Sequence, residues 1–394
     1  MKTGKTKRIL RRMIISGFIL TGILMFTVVI YVQQPKFGRL PRGERLEKIR
    51  KSPHYRDGRF QNLVRTSILT EGVSYFALYR EFLFGDKRVR RPANPVPSVK
   101  RDLANLDAAQ DVLVWFGHSS YFLQTGGKKI LVDPVFSGAA SPVTFTTRAF
   151  TGADAYTVDD LPAIDYLFIT HDHWDHLDYE TVLKLRPKVG KIVCGLGVGE
   201  HLEYWGFERG RIIEMDWGEN CAPETGVSVQ CLPARHFSGR GFFGNRSLWA
   251  SFLVRTPTFS FYVGGDSGYG AHFAEIGQKF GPLDLAILEN GQYDPSWQSI
   301  HMMPEEVWQA ARELNANRLL PVHSAKFSIS NHAWNEPLRR ITAAAANDAD
   351  GTGPVLLTPI IGEIVDLRDD AHAFSPWWED VDPKPTPGAL ALSE

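Results

Sequence analysis

Histidine and aspartate residues follow directly after several predicted strands, and this placement constrains the fold more than any other feature of the sequence. The run YLFIT ends in the cluster HDHWDH at residues 171–176, VQCLPAR ends in His236, FYVGG ends in Asp266 and RLLPV ends in His323. In α/β proteins, ligands and catalytic groups gather on loops at the carboxyl ends of strands. We therefore expect these side chains to meet at one edge of a sheet.

The cluster at residues 171–176 has the residue types and spacing of a metal site. The first metal would be bound by His171, His173 and His236, the second by Asp175, His176 and His323, and Asp266 would bridge them. Imidazole and carboxylate groups are good zinc ligands. Two metals about 3.5–4 Å apart would convert a shared water into hydroxide. We expect two zinc ions per chain, with catalytic roles for Asp175 and Asp266.

From about residue 108, short β-branched or aromatic runs alternate with helical patterns, which indicates an α/β domain. The predicted strands cover residues 112–116, 121–123, 130–132, 166–170, 191–194, 227–232, 249–254, 260–264, 285–288 and 318–322. The predicted helices cover residues 179–185, 272–280 and 304–314. The last begins with a proline and two glutamates, which is a typical helix start.

Residues 13–32 form an uninterrupted apolar run, long enough for the roughly 20 residues that a membrane-spanning helix needs. A cleaved signal peptide is disfavoured, because the run exceeds the roughly 7–15 apolar residues of a signal core and no small-x-small site follows it. A buried core helix is disfavoured at the extreme N-terminus. Because a short basic tail stays inside while long domains are translocated, we expect a single-pass anchor in a bacterial inner membrane with an extracytoplasmic body.

The zero net charge hides a strong asymmetry along the chain. Residues 1–101 hold 23 Lys/Arg and 6 Asp/Glu, a net charge of +17. Residues 102–394 hold 21 Lys/Arg and 38 Asp/Glu, a net charge of −17. The basic first quarter, residues 1–101, is expected either to lie on anionic headgroups or to be a solvated charged face. Nucleic acid is a weaker candidate partner, because no recognisable nucleic-acid-binding module accompanies the charge. Three widely spaced cysteines exclude a disulfide scaffold.

Five regions follow from these patterns. They are a basic cytoplasmic tail (1–12), a transmembrane anchor (13–32), a basic membrane-proximal segment (33–104), a catalytic domain (105–370) and a Pro-rich C-terminal tail (371–394).

Around the predicted ligands the sequence resembles the metallo-β-lactamase superfamily, and more narrowly its N-acyl-phosphatidylethanolamine-hydrolysing phospholipase D branch. The similar stretches include WFGHSSYF, ILVDPVFS, LFITHDHWDHLDYET, PARHFSGR, GGDSGYGAHF, IHMMPEEVWQA and PVHSAKF. They cover most of residues 105–330. The resemblance implies an αβ/βα four-layer sandwich with a two-zinc site at one edge, and it assigns the same seven residues as ligands.

The resemblance also implies roles around the metals. Trp174 stands where that branch has a lipid-contacting aromatic, usually tyrosine, and His301 stands where it has a histidine near the substrate phosphate. Asp133 is expected to accept a hydrogen bond from a ligand imidazole and so fix its orientation. His118 could lie near the site or brace its loop, and we favour the second. No site role is assigned to His54, His201, His272 or His332.

These features together predict a membrane-anchored dinuclear zinc hydrolase. The favoured activity is that of a phospholipase D-type phosphodiesterase, which cleaves N-acyl-phosphatidylethanolamine-like lipids to N-acylethanolamine and phosphatidic acid via a metal-bridging hydroxide. A lactonase or another zinc hydrolase on the same site is the first alternative, and a non-catalytic membrane scaffold is an alternative of a different class. The expected partners are a phospholipid substrate and an anionic membrane surface, without nucleic acid. The oligomeric state stays open.

Overall fold

Two seven-stranded sheets form the centre of the protein in a computed structural model, which describes residues 2–85, 87–348, 351–369 and 371–382. The strands are β1 (Tyr55–Arg56), β2 (Arg59–Phe60), β3 (Val112–Trp115), β4 (Tyr121–Thr125), β5 (Lys128–Val132), β6 (Ile164–Ile169), β7 (Val189–Gly195), β8 (Ile212–Met215), β9 (Asn220–Glu224), β10 (Val227–Leu232), β11 (Ser251–Arg255), β12 (Ser260–Val263), β13 (Leu285–Glu289), β14 (Arg318–Val322), β15 (Val355–Leu356) and β16 (Ile364–Asp366). The helices are α1 (Lys2–Tyr31), α2 (Gly43–Arg50), α3 (Tyr75–Phe84), α4 (Tyr179–Leu185), α5 (Val198–Tyr204), α6 (His272–Phe280), α7 (Pro304–Glu313) and α8 (Glu336–Ala346).

The two large sheets have the same internal pattern. The first has the strand order β16-β3-β4-β5-β6-β7-β8, and the second has the order β15-β14-β13-β12-β11-β10-β9. In the first sheet β16 to β5 pair antiparallel, and β5 to β8 pair parallel. In the second sheet β9 to β12 pair antiparallel, and β12 to β15 pair parallel.

Buried apolar side chains form three layers, between the two sheets and on the outer face of each, which confirms the predicted αβ/βα sandwich. Side chains from both sheets, such as Trp115 and Phe168 from one and Phe252 from the other, share one buried cluster between them. The outer face of the first sheet packs with α4 and α5, and the outer face of the second packs with α6, α7 and α8. Each sheet is therefore apolar on both faces, as expected for the continuous hydrophobic runs of its buried strands.

All ten predicted strands are present, with ends within two residues of the expected positions, and the three predicted helices agree within one residue. The sequence patterns missed the edge strands β8, β9, β15 and β16. They also missed α2, α3, α5 and α8. Edge strands carry a weaker signal because only part of each is buried: the pattern in β9 alternates between exposed and half-buried residues.

The segment 33–104 packs on the body formed by residues 105–370. Ile49 and Phe60 are fully buried in the cluster between the sheets. Arg45 is also buried, and its guanidinium lies 2.6 Å from Glu200 and from Glu214. Part of the positive charge of the first quarter is therefore balanced by carboxylates of the acidic body.

The first part of the predicted C-terminal tail, from residue 371, packs on the body. Trp377, Trp378 and Val381 are buried in the cluster between the sheets. These large apolar side chains anchor the end of the described chain, whereas the remainder of the predicted Pro-rich tail, residues 383–394, lies outside the described residues.

Helix α1 begins at Lys2 and continues without a break to Tyr31, so the predicted tail and anchor form one helix. It is long and apolar enough to cross a membrane, and none of the side chains in its apolar window is buried against the body. The Tyr31 hydroxyl donates to the carbonyl of Pro142 at 2.7 Å, which fixes where the helix meets the body.

Candidate metal centre

The carboxyl ends of the central strands bring all seven predicted ligands to one edge of the sandwich. The cluster at residues 171–176 follows β6, Asp266 follows β12, His323 follows β14, and His236 lies four residues beyond the end of β10. Asp133 directly follows β5, the neighbour of β6 in the first sheet. The site is thus assembled from both sheets, at the edge where their parallel strands end.

His171, His173 and His236 form one group of converging nitrogens. His171 Nε2 lies 2.9 Å from His173 Nδ1, and His236 Nε2 lies 3.3 Å from the same atom. Ligand atoms around a tetrahedral zinc with bonds of about 2.0–2.1 Å are separated by about 3.3 Å. The spacing of these nitrogens therefore fits a shared metal ion.

Asp175, His176 and His323 form the second group, and His118 belongs to it as well. Asp175 Oδ2 lies 2.9 Å from His118 Nε2, 3.2 Å from His323 Nε2 and 3.7 Å from His176 Nε2. The prediction that His118 braces its loop missed this direct contact. The sequence did offer a signal, because His118 lies in the stretch GHSS immediately after β3.

Asp266 lies between the two groups. Its Oδ2 atom is 3.2 Å from His176 Nε2 and 3.3 Å from His323 Nε2. The same oxygen is 3.7 Å from His236 Nε2 and 3.8 Å from His171 Nε2. Its other oxygen is buried and has no hydrogen-bond partner among the described residues. A carboxylate in this position is suited to bridge two cations.

Hydrogen bonds on the far side of the rings orient the imidazoles toward the centre. His176 Nδ1 donates to Asp133 at 2.8 Å, and His236 Nδ1 donates to the carbonyl of Ile300 at 3.0 Å. His323 Nδ1 lies 3.2 Å from the carbonyl of Gly291. Because each Nδ1 atom is held by an oxygen, the Nε2 atom of each ring faces the site, as metal binding requires.

The charge state of the site also fits cations. Burial lowers the pKa of His171 and of His236 well below the usual range, so both rings stay neutral. Burial opposes ionisation of Asp266, but His176 and His323 hold its pKa well below the usual range. Burial likewise opposes protonation of His323, yet the carboxylates of Asp266 and Asp175 raise its pKa to about 10. The second group thus attracts positive charge.

Three residues at the site have left-handed backbone conformations that residues other than glycine seldom adopt. The φ angles are 51° at His118, 42° at Asp133 and 68° at His323. Such conformations cost on the order of 1–3 kcal/mol each and persist where the surrounding structure enforces them. Their concentration at one strand edge indicates that the fold holds these side chains in place for function.

Glu289 is a buried carboxylate that the sequence analysis did not select. It ends β13, and its Oε2 atom lies 3.0 Å from His301 Nδ1 and 3.4 Å from His323 Nδ1. Its other oxygen accepts from the backbone N–H of Met302 at 2.7 Å. Glu289 therefore orients both the predicted phosphate contact His301 and the predicted ligand His323. Its position at the end of a strand is the sequence feature that could have identified it as a site residue.

A cavity of about 400 Å³ opens over the two groups of ligands. Its described lining contains both metal-site residues and a wall of apolar side chains, namely Ile68, Leu69, Tyr75, Leu78, His173, Asp175, His236, Phe237, Asp266, Gln292, Trp297, Ile300, His301, His323, Ile329 and Asn331. The segment 66–78, which was predicted to be only membrane-proximal, supplies part of this wall. His301 lies on the wall, as its predicted role requires.

Trp174 does not occur among the described residues that line this cavity, and its predicted contact with substrate stays a prediction. Its ring instead packs edge-on against Phe37 with centroids 5.0 Å apart. The guanidinium of Arg240 lies 4.0 Å from the centre of the same ring. The half-buried indole is therefore engaged with other parts of the body.

Comparison with known proteins finds one matching family and several similar proteins. The profile described as the beta-lactamase superfamily domain matches residues 128–324. An uncharacterized protein of Mycobacterium tuberculosis is 37% identical over 331 residues, covering 83% of this chain and 87% of that protein. N-acyl-phosphatidylethanolamine-hydrolyzing phospholipase D 1 of Caenorhabditis elegans is 28% identical over 303 residues, covering 73% and 85% respectively.

One solved structure has the same fold. It is that of a possible metal-dependent hydrolase from Veillonella parvula, with a TM-score of 0.51 and 15% sequence identity. The alignment covers 66% of this chain and 100% of the Veillonella parvula chain.

Proposed function

This chain belongs to the beta-lactamase superfamily and is a hydrolase of the metallo-β-lactamase fold; within that class we propose that it is a zinc-dependent phosphodiesterase of phospholipase D type. Its substrates would be N-acyl-phosphatidylethanolamine-like lipids, and its products an N-acylethanolamine and a phosphatidic acid. The observation that carries the proposal is a cavity with an apolar wall that leads directly to seven converging metal ligands. The Caenorhabditis elegans relative supports the choice of lipid.

The ligand set fits two zinc ions per chain. His171, His173 and His236 would hold one, and Asp175, His176 and His323 would hold the other, with Asp266 between them. When bound, the two ions would act as Lewis acids and would lower the pKa of water at the site. This chemistry is suited to a phosphodiester, where negative charge develops on the phosphoryl oxygens.

The remaining residues of the cavity would bind and orient the lipid. His301 is held by Glu289 through Nδ1, which leaves its other ring nitrogen for a phosphate oxygen. Asp175 lines the cavity, and its carboxylate would take up the proton that the attacking water loses and pass it to the leaving alkoxide oxygen. The apolar side chains of Leu69, Leu78 and Ile329 would cover an acyl chain and exclude water.

A membrane location supports a lipid substrate. Helix α1 would anchor the chain in a single pass, with the short basic end inside and the body extracytoplasmic. Exposed basic residues of the segment 33–104 that form no ion pair with a carboxylate among the described residues, such as Arg56, would face anionic headgroups. Hydrolysis of a soluble substrate would not require a membrane anchor.

Product analysis on the whole chain tests the proposal. Detergent-solubilised, zinc-loaded protein is incubated with N-acyl-phosphatidylethanolamine, other phospholipids, lactones and thioesters, and the products are identified by mass spectrometry. We expect N-acylethanolamine and phosphatidic acid, and we expect Asp266→Ala to abolish their formation. A matched variant, Asp216→Ala, removes an aspartate outside the ligand groups and should retain turnover.

Each other outcome has a definite meaning. Turnover of a lactone or thioester without turnover of any phospholipid would replace the proposed substrate by the first alternative. No turnover of any compound would favour the non-catalytic scaffold. Full activity of Asp266→Ala would remove the bridging role of that carboxylate.

A further inference from the structure

We propose that the segment leaving the membrane helix is part of the framework that holds the metal ligands. This exit segment comprises residues 35–39, and it contacts the ligand loop, residues 171–177, through Arg240, His201 and Trp174. The inference rests on the proposed metal site and goes beyond it. It makes Arg240 and His201 positioning residues and connects the anchor physically to the centre of catalysis.

Arg240 provides the first connection. Its side chain is buried, and Nη1 donates to the carbonyls of Asp172 at 2.9 Å and Leu177 at 2.6 Å, one near each end of the ligand loop. On its other side, Nε and Nη2 both donate to the carbonyl of Lys36, at 3.1 and 2.9 Å. One rigid guanidinium thus joins three carbonyl groups, a geometry that a lysine ammonium could not reproduce.

His201 provides the second connection. The backbone N–H of Arg39 donates to His201 Nδ1 at 3.0 Å, so the opposite nitrogen carries the proton. That nitrogen, Nε2, lies 3.2 Å from Oδ2 of Asp172, which is the residue between the ligands His171 and His173. Asp172 is further held by the Ser247 hydroxyl at 2.7 Å. A shift of the exit segment would therefore reach the ligand loop through two hydrogen bonds.

Aromatic packing provides the third connection. Phe37 packs edge-on against Trp174, which lies within the ligand loop, and Arg240 covers the indole ring. The indole N–H of Trp205 donates to the carbonyl of Pro35 at 2.7 Å and fixes the start of the exit segment. These contacts join the indole of Trp174 to the exit segment.

Gly38 shows how closely the exit segment approaches this network. Its φ angle is 72°, and a Cβ atom added there would lie 1.9 Å from His201 Nδ1. Gly43, also beyond the anchor, has a φ angle of 55°, but a Cβ atom there would meet nothing within 4 Å among the described residues. With φ 72° and ψ −154°, Gly38 has a backbone conformation that is almost confined to glycine, so Gly38→Ala would displace both the exit segment and His201. Gly43→Ala controls for the addition of a Cβ atom to a glycine of positive φ that lacks this contact.

The test measures zinc binding by the full chain in detergent micelles, using chelator competition. We expect Gly38→Ala and Arg240→Gln to weaken zinc binding by about 10–100-fold, while the control variants Gly43→Ala and Arg246→Gln change it less than about twofold. Arg246 lies in the same loop as Arg240 but donates to the Tyr55 hydroxyl at 3.5 Å.

A second readout needs no metal. Amide hydrogen exchange in chelator-treated protein should become faster at residues 171–177 in Gly38→Ala and Arg240→Gln, and it should stay unchanged there in the controls. Folded variants with unaltered zinc affinity and unaltered exchange would overturn the proposal. If Arg240→Gln does not fold, Phe37→Leu keeps an apolar side chain and removes the ring contact. It should show the same direction of change, and an unchanged result would equally overturn the inference.

These measurements use no lipid, so their outcome is separable from that of the proposed function. A chain that binds zinc normally but hydrolyses no phospholipid would refute the substrate and leave the positioning test valid. An unaltered chain that binds no zinc would refute the metal site itself, and the inference with it.

Discussion

Asp133→Asn is the substitution that most sharply tests how the metal site is built. The carboxylate of Asp133 accepts from His176 Nδ1 at 2.8 Å and from the hydroxyl and backbone N–H of Thr170 at 2.6 and 2.9 Å. Asparagine has the same shape and tolerates the left-handed backbone at this position, where φ is 42°. The backbone should therefore stay in place while one acceptor oxygen becomes an NH₂ group.

The expected defect is a change in the proton position on His176. If the asparagine carbonyl oxygen keeps its bond to the Thr170 N–H, the NH₂ group faces His176 Nδ1, which must then accept. The ring proton moves to Nε2, the atom that faces the metal site. Loss of such a supporting partner typically costs about 10–100-fold in metal affinity, or about 1.4–2.8 kcal/mol.

Chelator competition with zinc measures this loss directly, with thermal unfolding of the metal-free protein as a check on the fold. A matched control is Asp111→Asn, which changes another buried aspartate that accepts from Arg368 and the Gly126 N–H rather than from a ligand histidine. The control should affect stability without affecting zinc affinity. Equal zinc affinities for Asp133→Asn and the unaltered chain would refute this account of the site.

Four further outcomes are expected. Metal analysis should find about two zinc ions per chain, and chelation should abolish hydrolysis reversibly. Glu289→Gln should lower turnover about 10–100-fold in steady-state kinetics, because it loosens His301 and His323 together. Burial lowers the pKa of His272 from 6.5 to about 4, so protonation favours the unfolded chain. The free energy of unfolding should therefore fall by about 3 kcal/mol as pH drops from about 6.5 to 4, a slope that His272→Gln should lack in urea titrations. Liposome binding by a chain lacking residues 1–32 should weaken between 0.1 and 1 M salt, where the screening length falls from about 10 to 3 Å; salt-independent binding would exclude the headgroup contact.

The convergence of the predicted ligands on one edge could be predicted because they stand next to strong local signals. His171, Asp266 and His323 follow buried strands whose apolar runs are unmistakable, and the edge of an α/β sheet brings such positions together. His118 and Glu289 also follow strands, yet a single histidine or glutamate has many roles in a sequence. Their importance depends on distances of 2.9 Å to Asp175 and 3.0 Å to His301, which lie 57 and 12 residues away along the chain. Only the tertiary structure supplies those distances.

The segment 33–104 was harder to interpret because its positive charge has two explanations, a membrane-facing surface and ion pairs with the body. Its positive charge is typical of a membrane-facing surface, but Arg45 is buried among three glutamates of the body. A buried guanidinium requires such partners, since desolvation otherwise costs several kcal/mol per charge. The opposite charges of the two parts of the chain therefore reflect, in part, contacts between them, which a count of charges cannot separate from attraction to lipid.

The predicted metal ligands and one wall of the cavity lie in different parts of the chain. All seven predicted ligands lie within residues 128–324, the range that matches the superfamily profile. Ile68, Leu69, Tyr75 and Leu78, which form one wall of the cavity, lie before that range. Relatives that share the ligand edge can therefore bind metal in the same way and yet enclose different substrates. It follows that substitutions in this wall should change which acyl chain is accepted, whereas zinc stoichiometry should be insensitive to them.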